Sequence, residues 1–115
     1  MKFEVASIRP SEAGAAPGGT FIAPGGEQYV AANVYVKFLV MDAYRVYRDQ
    51  ISGGPAWFGS DLYNLNAKAE RPATRNEMRA MLLNLLEDRF KLQVTRETWE
   101  GNFYVLVVDK GGAKL

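Results

Sequence analysis

Apolar residues recur along this chain with two different periods, and the changes between them predict its elements. Phe3 to Arg9 reads as a strand, whereas Pro10 to Gly19 collects Ser, Ala, Gly and Pro without a period and reads as a loop. Thr20 to Ala23 and Gln28 to Ala32 flank Pro24-Gly25-Gly26-Glu27, turn chemistry that joins two short strands into a hairpin. The period then lengthens: Val36, Leu39, Val40, Ala43 and Tyr47 recur at helical spacing, with Asn33 placed to cap them through its side-chain oxygen. This predicts a first helix over Val34 to Val46. Its β-branched residues Val34, Val36 and Val40 each lower helix propensity by roughly tenths of a kcal/mol, so its apolar face has to be held by packing.

Ser52-Gly53-Gly54-Pro55 breaks regular structure, and Leu62 to Ala69 then alternates, with Tyr63, Leu65, Ala67 and Ala69 on one face of a strand. Thr74-Arg-Asn-Glu77 has the spacing of a reciprocal capping box, in which the Thr74 hydroxyl accepts from the Glu77 N–H and the Glu77 carboxylate accepts from the Thr74 N–H. A second helix follows, burying Met78, Met81, Leu82, Leu85 and Leu86 and stopping near Asp88 to Phe90, where period two returns at Phe90, Leu92 and Val94. Glu100-Gly101 separates Lys91–Trp99 from Asn102–Asp109 as a tight hairpin turn, and the unbroken apolar run Phe103 to Val108 reads as an interior strand. The order strand, hairpin, helix, strand, helix, hairpin predicts an α+β fold with two helices packed on a largely antiparallel sheet.

Composition narrows the function classes. With 115 residues and 48% hydrophobic content the chain has material for a single domain over residues 1–115. Such a domain buries roughly 65% of its unfolded surface and needs no metal or disulfide. Charge is balanced, 14 Lys plus Arg against 13 Asp plus Glu, and no basic stripe emerges, which argues against a nucleic-acid partner. The longest apolar runs fall far short of the ~20 residues of a membrane span. The absence of Cys leaves the redox compartment open.

The residue inventory also limits chemistry. With no His and no Cys, thiol and imidazole nucleophile-base pairs are excluded and zinc loses its commonest ligands. None of Ser7, Ser11, Ser52 and Ser60 has a Lys one helical turn beyond it. Glu87, Asp88 and Asp61 are candidates for paired-carboxylate chemistry, but charged residues of this kind are more often solvated or ion-paired at the surface. We therefore expect no catalytic residues, no metal and no cofactor. Ser52-Gly53-Gly54-Pro55 lacks the Lys-Ser/Thr pair of a phosphate loop. It is either a tight turn tucking Trp57 and Phe58 into the core or a rigid recognition loop that offers Trp57 to a ligand. The candidate binding residues are Gly53, Gly54, Pro55, Trp57, Phe58, Asp61 and Arg89. Arg89, at the negative end of the second helix, is expected to pair with a carboxylate such as Asp61 and fix the loop against that helix.

Several segments together carry a family resemblance. They are Phe3-Glu-Val-Ala-Ser-Ile-Arg-Pro10, Asp42-Ala43-Tyr44, Gln50 to Trp57 with Ser60 to Tyr63, Leu82 to Glu97, Tyr104 to Val108 and Lys110 to Leu115. The chain resembles a family of soil-associated bacterial exported proteins whose shared domain has no known function, and which also occurs joined to membrane-embedded metallopeptidase sensors. That resemblance implies a periplasmic or extracellular location and a sensing or binding role. It also implies that the N-terminus, which lacks the apolar stretch of a signal peptide, is that of a mature region with Met1 as a start residue. Thr95 stands where the family often has His, so a His-dependent role would be absent here. At fold level the helix and hairpin of the second half resemble the short N-terminal domains of secretins and TonB-dependent receptors, which are periplasmic interaction modules.

The leading expectation is a non-catalytic module that binds a peptide, a cell-wall glycan fragment or a protein partner through the Gly-Pro-Trp loop or an exposed strand edge. The alternatives are a small carboxylate-based glycan hydrolase and a structural domain that forms homo-oligomers. A clustered acidic pair in a deep pocket favours the hydrolase; a shallow aromatic patch or an open edge favours binding.

Overall fold

The structure is a computed structural model that describes residues 2–99 and 103–114. In chain order the elements are β1 (Val5–Pro10), β2 (Gly19–Ile22), β3 (Gln28–Tyr35), α1 (Val36–Tyr44), a 3-10 turn over Arg48–Gln50, β4 (Ile51–Gly53), β5 (Leu62–Lys68), α2 (Arg75–Phe90), β6 (Val94–Trp99) and β7 (Phe103–Val108). The fold is α+β as expected, with the expected elements in the expected order and one further short strand, β4, between α1 and β5. The predicted turn at Glu100-Gly101 lies outside the described residues.

The strands form two sheets. One is wholly antiparallel in the order β1-β5-β3-β2; the other runs β4-β7-β6, with β6 and β7 antiparallel and β4 parallel to β7. A single sheet was the expectation, and β5 shows why it fails. Both of its edges are taken, by β1 and by β3, so the C-terminal hairpin has no place beside it. That hairpin pairs instead with β4, three residues that include a glycine and are too short to show a period.

Asn33 does not cap α1. It sits at φ 53° in a bulge of β3, where the register against β5 shifts between Ala31 and Val34. There its N–H donates to Asn64 Oδ1 at 2.9 Å and its carbonyl accepts from Gly18 N–H at 2.8 Å. Asn tolerates the left-handed conformation better than most residues, and a bulge leaves one residue outside the ladder. Val34 and Tyr35 therefore stay in the strand, and Tyr35 takes the cap position without a side-chain bond. Helix α1 is held by burial of Val36, Leu39, Val40 and Ala43.

At α2 the local chemistry matches expectation. Thr74 Oγ1 accepts from Glu77 N–H and Glu77 Oε1 accepts from Thr74 N–H, both at 3.1 Å. Arg71 adds an ion pair to Glu77 at 2.8 Å. The helix ends at Phe90, with Lys91 left-handed at φ 54°. Phe90 and Leu92 are buried but precede β6, which starts only at Val94.

The core is one contiguous cluster. Tyr63, Leu65 and Ala67 of β5 and Tyr29, Ala31 and Val34 of β3 supply the sheet side, while Leu39 and Val40 of α1 and Met81, Leu82 and Leu86 of α2 supply the helical side. The opposite face of β5, Asn64, Asn66 and Lys68, is exposed. Removing each large side chain from water contributes about 1.5–3 kcal/mol, so the helical layer and this one sheet face supply most of the driving force. Among the described residues no helix is long and apolar enough to cross a membrane.

Candidate functional site

The Gly-Pro-Trp loop connects β4 to β5. Gly53 and Gly54 have φ 83° and 101°, and Gly54 N–H donates to the Val108 carbonyl at 2.8 Å. A Cβ on Gly53 would meet the Val108 oxygen at 2.6 Å, and one on Gly54 would meet the Phe58 ring at the same distance. Both positions therefore require glycine on conformation and on space. Phe58 is 2% exposed and belongs to the core. Its N–H closes the turn onto the Pro55 carbonyl, and its own carbonyl accepts from Lys37 N–H, each at 3.0 Å. Trp57 is half-buried, its ring 5.4 Å from that of Phe90, which in turn meets Tyr63 edge-on at 5.3 Å.

The segment after β7 lies across this loop. Ala113 N–H donates to the Phe90 carbonyl at 2.7 Å, and Lys114 Nζ pairs with the Asp61 carboxylate at 2.8 Å. Between them, a Cβ on Gly112 would come within 3.2–3.3 Å of Pro55, Trp57 and the Phe90 carbonyl. The Lys114 hydrogen bond holds the Asp61 carboxyl below the usual carboxylate range, and Asp61 raises the Lys114 ammonium in return. Gly112 thus sits beside the ring edge of Trp57, which stays half-buried.

Arg89 does not join Asp61. Its Nη2 donates to the Ala6 carbonyl at 3.3 Å, and its Nε lies 3.7 Å from the Asp88 carboxylate. Successive helical residues point about 100° apart, so once Phe90 is turned inward to Trp57 and Tyr63, Arg89 faces β1 instead. Of the seven candidate residues, the structure brings Pro55, Trp57 and Asp61 to the C-terminal segment, sets Gly53 and Gly54 against Val108 and Phe58, buries Phe58 in the core and places Arg89 beside a separate cavity. That cavity, about 490 Å³, lies between the chain start and the end of α2, with Glu4, Glu87 and Asp88 at its exposed rim.

A second cleft, about 360 Å³, opens between β2, α1 and α2. Its apolar lining includes Phe21, Ile22, Met78 and Leu82, and its polar lining includes Asp42, Arg75 and Arg79. Tyr29 crosses its base, the hydroxyl donating to Asp42 Oδ2 at 2.6 Å. Burial first, then the bond to Asp42, keeps that hydroxyl well above the usual phenol range. Phe21 and Ile22 are 56% and 36% exposed, on a strand that forms the edge of its sheet. No pattern in the sequence joins these residues, because they come from four elements, β2, β3, α1 and α2. One local signal exists: Arg75 is the first residue of α2, where the dipole disfavours a cation. The described residues contain no group of three or more His, Cys, Asp or Glu able to hold a metal ion.

An α+β domain with two sheets, a roofed aromatic loop and an open cleft beside a sheet edge is the class that this geometry defines. The chain belongs to the family described as "Protein of unknown function (DUF3738)", whose model matches residues 37–115. The matched part includes the Gly-Pro-Trp loop, α2 and the segment that covers the loop; β1, β2 and β3 precede it. No curated protein and no solved structure matches the chain.

Proposed function

We propose that this domain is a non-catalytic binding or sensing module that works outside the cytoplasm and takes an extended peptide, as a free ligand or as part of a protein partner, at the β2 edge. The observation that carries this reading is the pairing of a free strand edge, with Phe21 and Ile22 exposed, with the cleft beside it. An edge strand offers unpaired backbone N–H and C=O groups to a further strand, and a neighbouring pocket supplies side-chain selectivity. The extracytoplasmic setting rests on the resemblance to exported proteins.

The β2 edge is favoured over Trp57 as the contact surface, because Trp57 is half-buried, packs on Phe90 and has Gly112 beside its ring edge. A carboxylate-based glycan hydrolase is less well supported. Asp61 is engaged by Lys114, and Glu87 and Asp88 are exposed on α2 rather than paired in a deep pocket.

The test is an amide-resolved NMR titration of the labelled protein with short extended peptides and with cell-wall oligosaccharides. Saturable shifts over Gly19 to Ile22 and the first turns of α2 are expected with peptides. Saturable shifts confined to Gln50 to Asp61, or release of reducing sugar from the oligosaccharides, would sink the proposal.

A further inference from the structure

Resting on the strand-edge reading, we infer that the cleft between β2, α1 and α2 is built to receive the C-terminal carboxylate of a peptide whose last side chain is apolar. Arg75 and Arg79 lie one turn apart on one face of α2 and both line the cleft. Among the described residues neither has a carboxylate within ion-pair distance. Arg79 spends one N–H on a long contact with Asn76 Oδ1 at 3.4 Å, while its Nε is shielded from solvent and has no hydrogen-bond partner among the described residues. A shielded, unsatisfied donor on a cation is costly, and a cation at the start of a helix opposes the dipole. The unsatisfied donor belongs to Arg79 and the unfavourable dipole position to Arg75; neither is explained by stability, and an incoming anion would answer both.

The lining selects among anions. Asp42, the carboxylate of the cleft, already accepts from the Tyr29 hydroxyl and would repel a dianion such as a phosphate monoester. A carboxylate carries one negative charge and fits the planar edge of a guanidinium with two parallel hydrogen bonds. Phe21, Ile22, Met78 and Leu82 supply an apolar bed for the side chain next to it. A chain terminus fits better than an internal acidic residue. Strand β2 stops at Ile22, and Pro24, just beyond, has no N–H to extend a ladder, so a peptide running parallel to β2 would have its C-terminal end run out of ladder partners beside the cleft.

The probes are an acetylated tetrapeptide of valine and leucine ending in a free carboxylate, the same peptide amidated at its C-terminus, and an amidated version with an internal aspartate. Binding is followed by NMR shifts of Gly19 to Ile22 and α2. The free acid is expected to bind at least tenfold more tightly than either amidated peptide. Arg79→Gln is expected to abolish that difference while leaving the weaker edge binding in place, and Arg75→Gln provides the same comparison if Arg79→Gln does not fold. Equal binding of acid and amide would overturn the carboxylate assignment but leave the strand-edge reading standing. Equal binding of the acid and the aspartate peptide would overturn the assignment to a chain terminus. Absence of shifts at β2 with every peptide would overturn both readings together.

Discussion

Ala113 is fastened to the end of α2: its backbone N–H donates to the Phe90 carbonyl at 2.7 Å. The last carbonyls of a helix have no partner within it, so this bond satisfies a group that would otherwise need water. Lys114, the next residue, reaches across to Asp61 on the far side of the Gly-Pro-Trp loop. The two contacts make residues 109–114 a roof over Pro55 and Trp57.

Lys114→Ala should loosen that roof without unfolding the domain. Hydrogen exchange at the Ala113 amide is expected to speed up several-fold and the Trp57 indole N–H resonance to move, with little change in melting temperature, because opening is local. An unchanged Trp57 resonance would mean that the ion pair holds nothing in place.

Acid should loosen it too. The Asp61 carboxyl is held below its ordinary value of 3.8 by the bond from Lys114. A group depressed in the folded state stabilises it above the ordinary value and loses that contribution as pH falls through the folded one. The roof should therefore be intact at neutral pH and open only below the ordinary aspartate range, which a pH series on the Ala113 and Trp57 signals reads directly. In the Asp61→Asn variant the acid transition of those signals should be missing.

Gly54 and Gly25 separate strain from crowding. Their φ angles are 101° and 100°, yet a Cβ on Gly25 meets nothing within 4 Å whereas one on Gly54 meets the Phe58 ring at 2.6 Å. Gly25→Ala is expected to lose about 1–3 kcal/mol from backbone strain alone. Gly54→Ala should lose a further ~1–3 kcal/mol from overpacking, measured as the difference between their urea unfolding curves.

Phe90 is fully buried and carries both Trp57 and Tyr63 against its ring. Phe90→Ala is expected to cost about 3–5 kcal/mol, by lost burial and by the cavity left between loop and sheet. Thr74→Ala, which removes a cap and leaves the core intact, should cost only about 1 kcal/mol. Chemical denaturation of the two variants side by side checks that order.

Tyr29→Phe tests the base of the cleft. It removes a hydroxyl bonded to Asp42 at 2.6 Å and should cost about 1–3 kcal/mol. The Tyr29 hydroxyl is raised above its ordinary value of 10.0, so its contribution is complete below that pH and is lost as pH climbs through the folded value. Wild-type stability should accordingly fall more steeply in strong alkali than that of Tyr29→Phe.

Where chemistry is settled within a few residues, the sequence alone determined the outcome. The Thr74–Glu77 box, the buried stripe of α2, the alternation of β5 and the glycine turn after β2 all follow from spacings of two to four residues, and all are in the structure. Asn33 shows the limit of that reasoning. Its side chain suits a helix cap and a left-handed bulge equally, and the choice was made by Asn64 on a neighbouring strand. Only the tertiary structure decided that the strands divide into two sheets, that Arg89 turns to Ala6, 83 residues away in the chain, and that Lys114 takes Asp61. It alone brought Phe21, Tyr29, Asp42 and Arg79 to one cleft. Periodicity and capping report on neighbours along the chain, whereas sheet edges, ion partners and clefts depend on which distant surfaces the shared core brings together.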